Sequence, residues 1–110
     1  MATQEITGST IEKGTDFSVS FFIDSFDGKP LNMSDYTAVA KIRKYPTSVS
    51  YKSFDTAVLG ETGYINISMK KEITQQLSAG RNYFDIILTN QYETIKLVKG
   101  SMIVEETASL

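Results

Sequence analysis

Over residues 15–24 apolar and polar side chains alternate without a break. Phe17, Val19, Phe21 and Ile23 fall on one face, and Asp16, Ser18, Ser20 and Phe22 on the other. A period of two over that length predicts a strand with one buried face. Phe22 then points outward, toward a second layer, or toward a partner. The same period returns over residues 36–45, where Tyr36, Ala38, Ala40 and Ile42 oppose Thr37, Val39, Lys41 and Arg43. Small alanines on the inward side imply a bulky neighbour across the core. Residues 64–69 alternate again, with Ile65, Ile67 and Met69 inward. Over residues 82–89, Asn82, Phe84, Ile86 and Leu88 alternate with Tyr83, Asp85, Ile87 and Thr89. Because Tyr83 and Ile87 make the second face partly apolar too, this segment predicts a central strand. Residues 92–105 predict a long last strand whose phase slips near Gly100, from Ile95 and Leu97 to Met102 and Val104, the mark of a bulge or bend.

Two segments carry weaker patterns. Residues 1–14 predict a polar arm with a short edge strand around Ile6, and residues 49–58, anchored by Val49, Tyr51 and Phe54, predict another edge strand. Turn chemistry separates the strands: Asp27-Gly28 followed by Pro30, Tyr45-Pro46, Gly60 to Gly63, and Asn90-Gln91. Near residues 70–77 the period changes, since Ile73 and Leu77 lie four apart, and one short helical turn ended by Gly80 is expected. Six or seven strands without intervening helices predict an all-β fold, an antiparallel immunoglobulin-like β-sandwich. It occupies residues 1–110 as a single domain, with short arms at 1–10 and 106–110.

Composition narrows the chemistry. A chain of 110 residues with 41% hydrophobic and 22% charged residues is long enough for one core and needs no staple. It contains no Cys and no His, which excludes disulfides, thiolate sites, imidazole bases and His-based zinc sites. The formal net charge of −2, with mixed signs along the chain, gives no electrostatic reason to expect a nucleic-acid or membrane partner. The N-terminal residues lack the basic and then apolar pattern of a signal peptide, so a soluble protein acting where it is made, or carried as part of an assembly, is expected.

Three constellations have possible chemistry. Asp24, Asp27 and Asp35 flank the Asp27-Gly28 turn, at a spacing that suits turn formers and a cap better than a calcium loop. Asp85, an acid inside a central strand, is expected to pair with Lys41, Arg43 or Lys96, or to face a subunit partner. Lys41, Arg43, Lys44 and Lys52, interleaved with Tyr45 and Tyr51, form either a solvated strand face or a small basic patch of the kind single-stranded nucleic-acid binders use. Phosphate loops, dinucleotide fingerprints, nucleophile elbows and metal-ligand spacings are absent, and the expectation is a protein that is no enzyme and holds no cofactor or metal.

Several segments, in order and across about nine tenths of the chain, resemble a family of short β-sandwich proteins of tailed bacteriophages similar to the N-terminal domain of baseplate upper proteins. They are Glu12-Lys13-Gly14-Thr15-Asp16-Phe17, then Asp27-Gly28-Lys29-Pro30-Leu31 with Tyr36-Thr37-Ala38 and Ile42-Arg43, and Gly63-Tyr64-Ile65. Ile73-Thr74, Leu77-Ser78-Ala79-Gly80-Arg81, Phe84-Asp85-Ile86, Val98-Lys99-Gly100 and Ile103-Val104 follow. Where the family pattern places an aromatic two residues after the corner glycine, this chain has Asn82, expected to hydrogen-bond the turn instead. The resemblance implies a non-enzymatic virion structural protein, assembled in the host cytoplasm. It would dock on tail, neck or baseplate, or decorate the capsid, in multiple copies and in contact with other virion proteins. A β-sandwich that binds carbohydrate or a host surface is the alternative. Ile6, Phe22, Tyr45, Tyr51, Tyr83 and Asp85 are the expected contact residues.

Overall fold

The computed structural model describes residues 3–24 and 28–109. Seven strands, β1 (Gln4–Glu12), β2 (Phe17–Phe22), β3 (Thr37–Arg43), β4 (Lys52–Val58), β5 (Tyr64–Met69), β6 (Gly80–Thr89) and β7 (Thr94–Glu105), join in one sheet. The order is β1-β7-β6-β3-β4-β5-β2. The sheet curls nearly into a barrel, so that its last strand lies over its middle: Phe21 of β2 stacks on Phe84 of β6 with ring centroids 6.2 Å apart. All seven strands form one continuous sheet, which β4 carries from β1-β7-β6-β3 to β5-β2.

The sheet is mixed. Five pairings are antiparallel, but β1 runs parallel to β7. Purely antiparallel pairing fails there because β1 and β7 are not joined by a hairpin: their pairing brings the two ends of the chain together and constrains no direction. The N-terminal segment forms an edge strand, as expected around Ile6, but a longer one: β1 runs to nine residues and Ile11 is fully buried. The C-terminal end is tied to the same corner, since Thr107 Oγ1 donates to the Lys13 carbonyl at 2.7 Å and Lys13 pairs with Glu106 at 3.3 Å.

β4 also differs from the edge strand expected. It is an interior strand that changes partners halfway, pairing with β3 through Phe54 and with β5 from Asp55 onward. Two rungs further, the β3 ladder would have set Thr56 opposite Ala38. In its place the Thr56 hydroxyl donates to the Ala38 carbonyl at 3.1 Å, so the acceptor stays satisfied where the backbones part. A strand that serves two ladders cannot keep one simple pattern, which explains why residues 49–58 read so weakly.

β2, β3, β5 and β6 follow their alternation: Phe21, Ala40, Ile42, Ile65, Ile67, Phe84, Ile86 and Leu88 are buried. The helical turn near 70–77 is α1 (Lys71–Thr74), a single turn, and a 3-10 turn occupies Gly60–Thr62. Thr74 is fully buried and holds α1 to the β1–β2 corner. Its hydroxyl accepts from the Gly14 N–H at 3.0 Å and donates to the Thr15 carbonyl at 2.8 Å. Gly80 takes a φ of +101°, as the corner into β6 requires. Asn82, 2% exposed, does hydrogen-bond that corner, its Nδ2 donating to the carbonyls of Ser78 at 2.8 Å and Gly80 at 3.1 Å.

The phase slip in β7 is a bulge, placed earlier than Gly100. Ile87 faces Lys96 but Ile86 faces Val98, so Leu97 is the extra residue, and Leu97 and Val98 are consecutive and both fully buried. Gly100 has a separate reason. β1 carries its own irregularity between Ile6 and Ser9, and the Ile6 carbonyl oxygen lies only 1.8 Å from where a Cβ on residue 100 would sit.

Candidate functional site

The pairings place four strands side by side on one outward face, β1, β7, β6 and β3. One rung crosses all four: Glu5 opposite Lys99, Lys99 opposite Asp85, and Asp85 opposite Lys41. The next sets Arg43 opposite Tyr83 and Tyr83 opposite Ser101. Together with Thr7, Pro46 and Lys96, these side chains line an open groove of about 340 Å³, floored by Phe84 and Gly100. Cross-strand neighbours on one sheet face lie close enough for such charges to interact.

Within the groove the charges are unevenly matched. Asp85 pairs with Lys96 and Glu5 with Lys99, each at 3.8 Å and each partly exposed, contacts worth about 0–1 kcal/mol apiece. Of the three partners the sequence offers Asp85, Lys96 is the one in contact. Lys41 and Arg43 sit instead over the ring of Tyr51, with the Lys41 ammonium 4.1 Å and the Arg43 guanidinium 4.8 Å from its centroid. This cation–π geometry favours both charges without neutralising either. Arg43 also donates to the Ser48 carbonyl at 2.7 Å, bracing the loop that carries Tyr51.

Of the six expected contact residues, Tyr51, Tyr83 and Asp85 come together around this groove. Tyr45 is 62% exposed, in the loop beyond β3. Phe22 is 43% exposed on β2 and packs against Tyr64 at 5.1 Å, which makes a separate aromatic pair. Ile6 is partly buried and packs against the core, its carbonyl rather than its side chain being the feature that matters. The basic set divides: Lys41 and Arg43 belong to the groove, whereas Lys44 reaches away to the Ala79 carbonyl at 2.8 Å. Lys96, offered by the sequence as a partner of Asp85, belongs to the groove, and Lys99 and Glu5, which sequence reading does not assign to a site, complete it. The bulge at Leu97 sets Lys99 against Asp85, and its sole trace in the sequence is the phase slip of β7.

Of the acids around the Asp27-Gly28 turn, Asp27 lies outside the described residues, and Asp24 forms a bridge with Pro30. Tyr36, away from the groove, donates to Glu93, and this hydrogen bond with burial and the Glu93 charge holds its hydroxyl above the usual tyrosine pKa. Among the described residues no helix is long and apolar enough to cross a membrane.

A curled mixed sheet with a charged outer groove and a strand that changes partners is the class of domain these features define. Among solved structures, it is similar to the N-terminal domain of ORF48 of phage TP901-1, at 16% identity and a TM-score of 0.63 over 96% of this chain and 99% of that one. It is also similar to part of the endo-β-1,4-mannanase from Thermotoga petrophila, at 12% identity and a TM-score of 0.52 over 91% of this chain but 18% of the enzyme. At these identities the likeness is one of fold. No family model and no curated protein matches the sequence.

Proposed function

We propose that this chain is a non-enzymatic structural protein of a bacteriophage virion. It docks on tail, neck or baseplate through protein–protein contacts, in several copies per particle. The observation that carries this reading is the end-to-end likeness to a phage domain, in which almost nothing of either chain is left over. A domain matched only within a much larger enzyme supports the fold and adds no argument for catalysis. A carbohydrate-binding role is less favoured, because the chain contains no Trp and the groove's Tyr51 ring already has Lys41 and Arg43 over it.

The test is to purify intact particles that encode the chain, detect it by mass spectrometry and locate it in a density map. Expected is density at the tail, neck or baseplate. Absence from washed particles would sink the reading, and density on the capsid lattice would replace docking on the tail with decoration.

A further inference from the structure

The groove on the outer face of β1, β7, β6 and β3 holds four cations against two carboxylates, in a chain whose net charge is −2. Both carboxylates are already engaged, Asp85 by Lys96 and Glu5 by Lys99. Among the described residues neither Lys41 nor Arg43 forms an ion pair. The excess positive charge is therefore concentrated at one end of the groove, and Tyr51 and the Ser48 carbonyl hold it in place. A concave site lined by one sign of charge raises the local concentration of the opposite sign.

We propose that this groove receives an extended acidic segment of a neighbouring virion protein, with its carboxylates seated on Lys41 and Arg43. The proposal rests on the virion reading and names the chemistry of the partner. Three inter-strand spacings of about 4.8 Å span roughly 14 Å from β1 to β3, the length of about four extended residues. A segment of that length laid across the strands meets alternating groups. Its carboxylates find Lys41 and Arg43, and its backbone N–H groups find Asp85 and Glu5. A nucleic-acid backbone fits less well, because phosphates at every step would meet those two carboxylates and gain nothing from them. Charge steering of this kind speeds association and selects the partner more than it adds affinity.

Binding is read by fluorescence anisotropy with the full chain and three labelled probes: a peptide of alternating glutamate and serine, one of alternating lysine and serine, and an oligothymidylate. The acidic peptide should bind at low salt, weaken as salt rises, and bind more tightly than either other probe. Lys41→Glu should weaken it on the order of tenfold or more, the equivalent of about 1.4 kcal/mol. Lys71→Glu, the same charge change on α1 outside the groove, should leave it unchanged. No binding of the acidic peptide at low salt by folded protein, equal binding by Lys41→Glu, or tighter binding of the oligothymidylate would each overturn the proposal. Particle incorporation separates the two readings. Wild-type and Lys41→Glu chains incorporated equally would refute the groove and leave the virion role standing, whereas a wild-type chain missing from particles would refute the virion role itself.

Discussion

Asp85 and Lys99 face each other across β6 and β7 only because Leu97 is an extra residue. The hairpin starts with Thr89 opposite Thr94 and Ile87 opposite Lys96. Continued unbroken, that register would set Asp85 against Val98, an apolar side chain that is fully buried. The bulge shifts the ladder by one, sends Val98 to the core and brings Lys99 to the acid. A single inserted residue thus keeps the core apolar and assembles the charged groove, the re-aiming role bulges commonly serve.

Gly100 is expected to be intolerant of any side chain. A Cβ there meets the Ile6 carbonyl oxygen at 1.8 Å and Phe84 at 2.9 Å, the first a backbone atom with no rotamer to escape into. Gly100→Ala should therefore cost about 1–3 kcal/mol in denaturant melts, as overpacking does. Hydrogen exchange should show the loss beginning in β1, with faster exchange near Ile6 while β3 and β6 stay protected. Uniform protection with no change in stability would show that β1 does not press on β7 as described.

Phe84, 4% exposed and stacked on Phe21, closes the curled sheet on itself. Phe84→Ala should cost about 3–5 kcal/mol, the range for buried aromatic truncation. A loss below about 1 kcal/mol would mean that the two halves of the sheet do not depend on this contact.

How much of this was legible follows from what each residue reports. Phe21, Ile65, Ile67, Ile86 and Leu88 sit in strands with one face on the core, so alternation alone sorted them correctly. Asn82 was legible for a different reason: a polar side chain at an inward position beside a glycine corner has few partners other than the turn itself. Parallel pairing of β1, the change of partners in β4 and the position of the bulge were not legible. Each is a choice between strands distant in sequence, and alternation says which face a residue takes without saying which strand lies beside it. Lys99 therefore gave no sign that it belonged with Asp85, although both stood within the segments that resemble the phage family.

Asn82 also offers a test of charge. Its Nδ2 donates to two carbonyls in a site that is 2% exposed, so Asn82→Ala should cost about 1–3 kcal/mol by leaving those acceptors unpaired. Asn82→Asp should cost more at neutral pH, because an ionised carboxylate would face both carbonyl oxygens. Burial and those oxygens raise the pKa of the new acid in the folded state above its unfolded value near 3.9. Protonation then favours folding, so the deficit of Asn82→Asp relative to wild type should shrink as pH falls through the raised folded pKa toward 3.9. A deficit that stays constant with pH would show that residue 82 does not face the corner carbonyls.

Thr74 is the last residue whose role can be isolated, because one hydroxyl joins α1 to the β1–β2 corner. It accepts from the Gly14 N–H, donates to the Thr15 carbonyl, and lies 3.2 Å from the Lys71 carbonyl. Thr74→Val keeps the shape and removes the oxygen, so it should cost about 1–3 kcal/mol through buried groups left unpaired. Thr74→Ser keeps the oxygen and loses one methyl, for about 1 kcal/mol of burial. The order of the two variants is the discriminating result. If valine proves less harmful than serine, Thr74 acts by filling space and the corner between β1 and β2 is held by other contacts. If serine is the milder change, the hydroxyl fixes the corner, and hydrogen exchange at Gly14 should quicken in the valine variant alone.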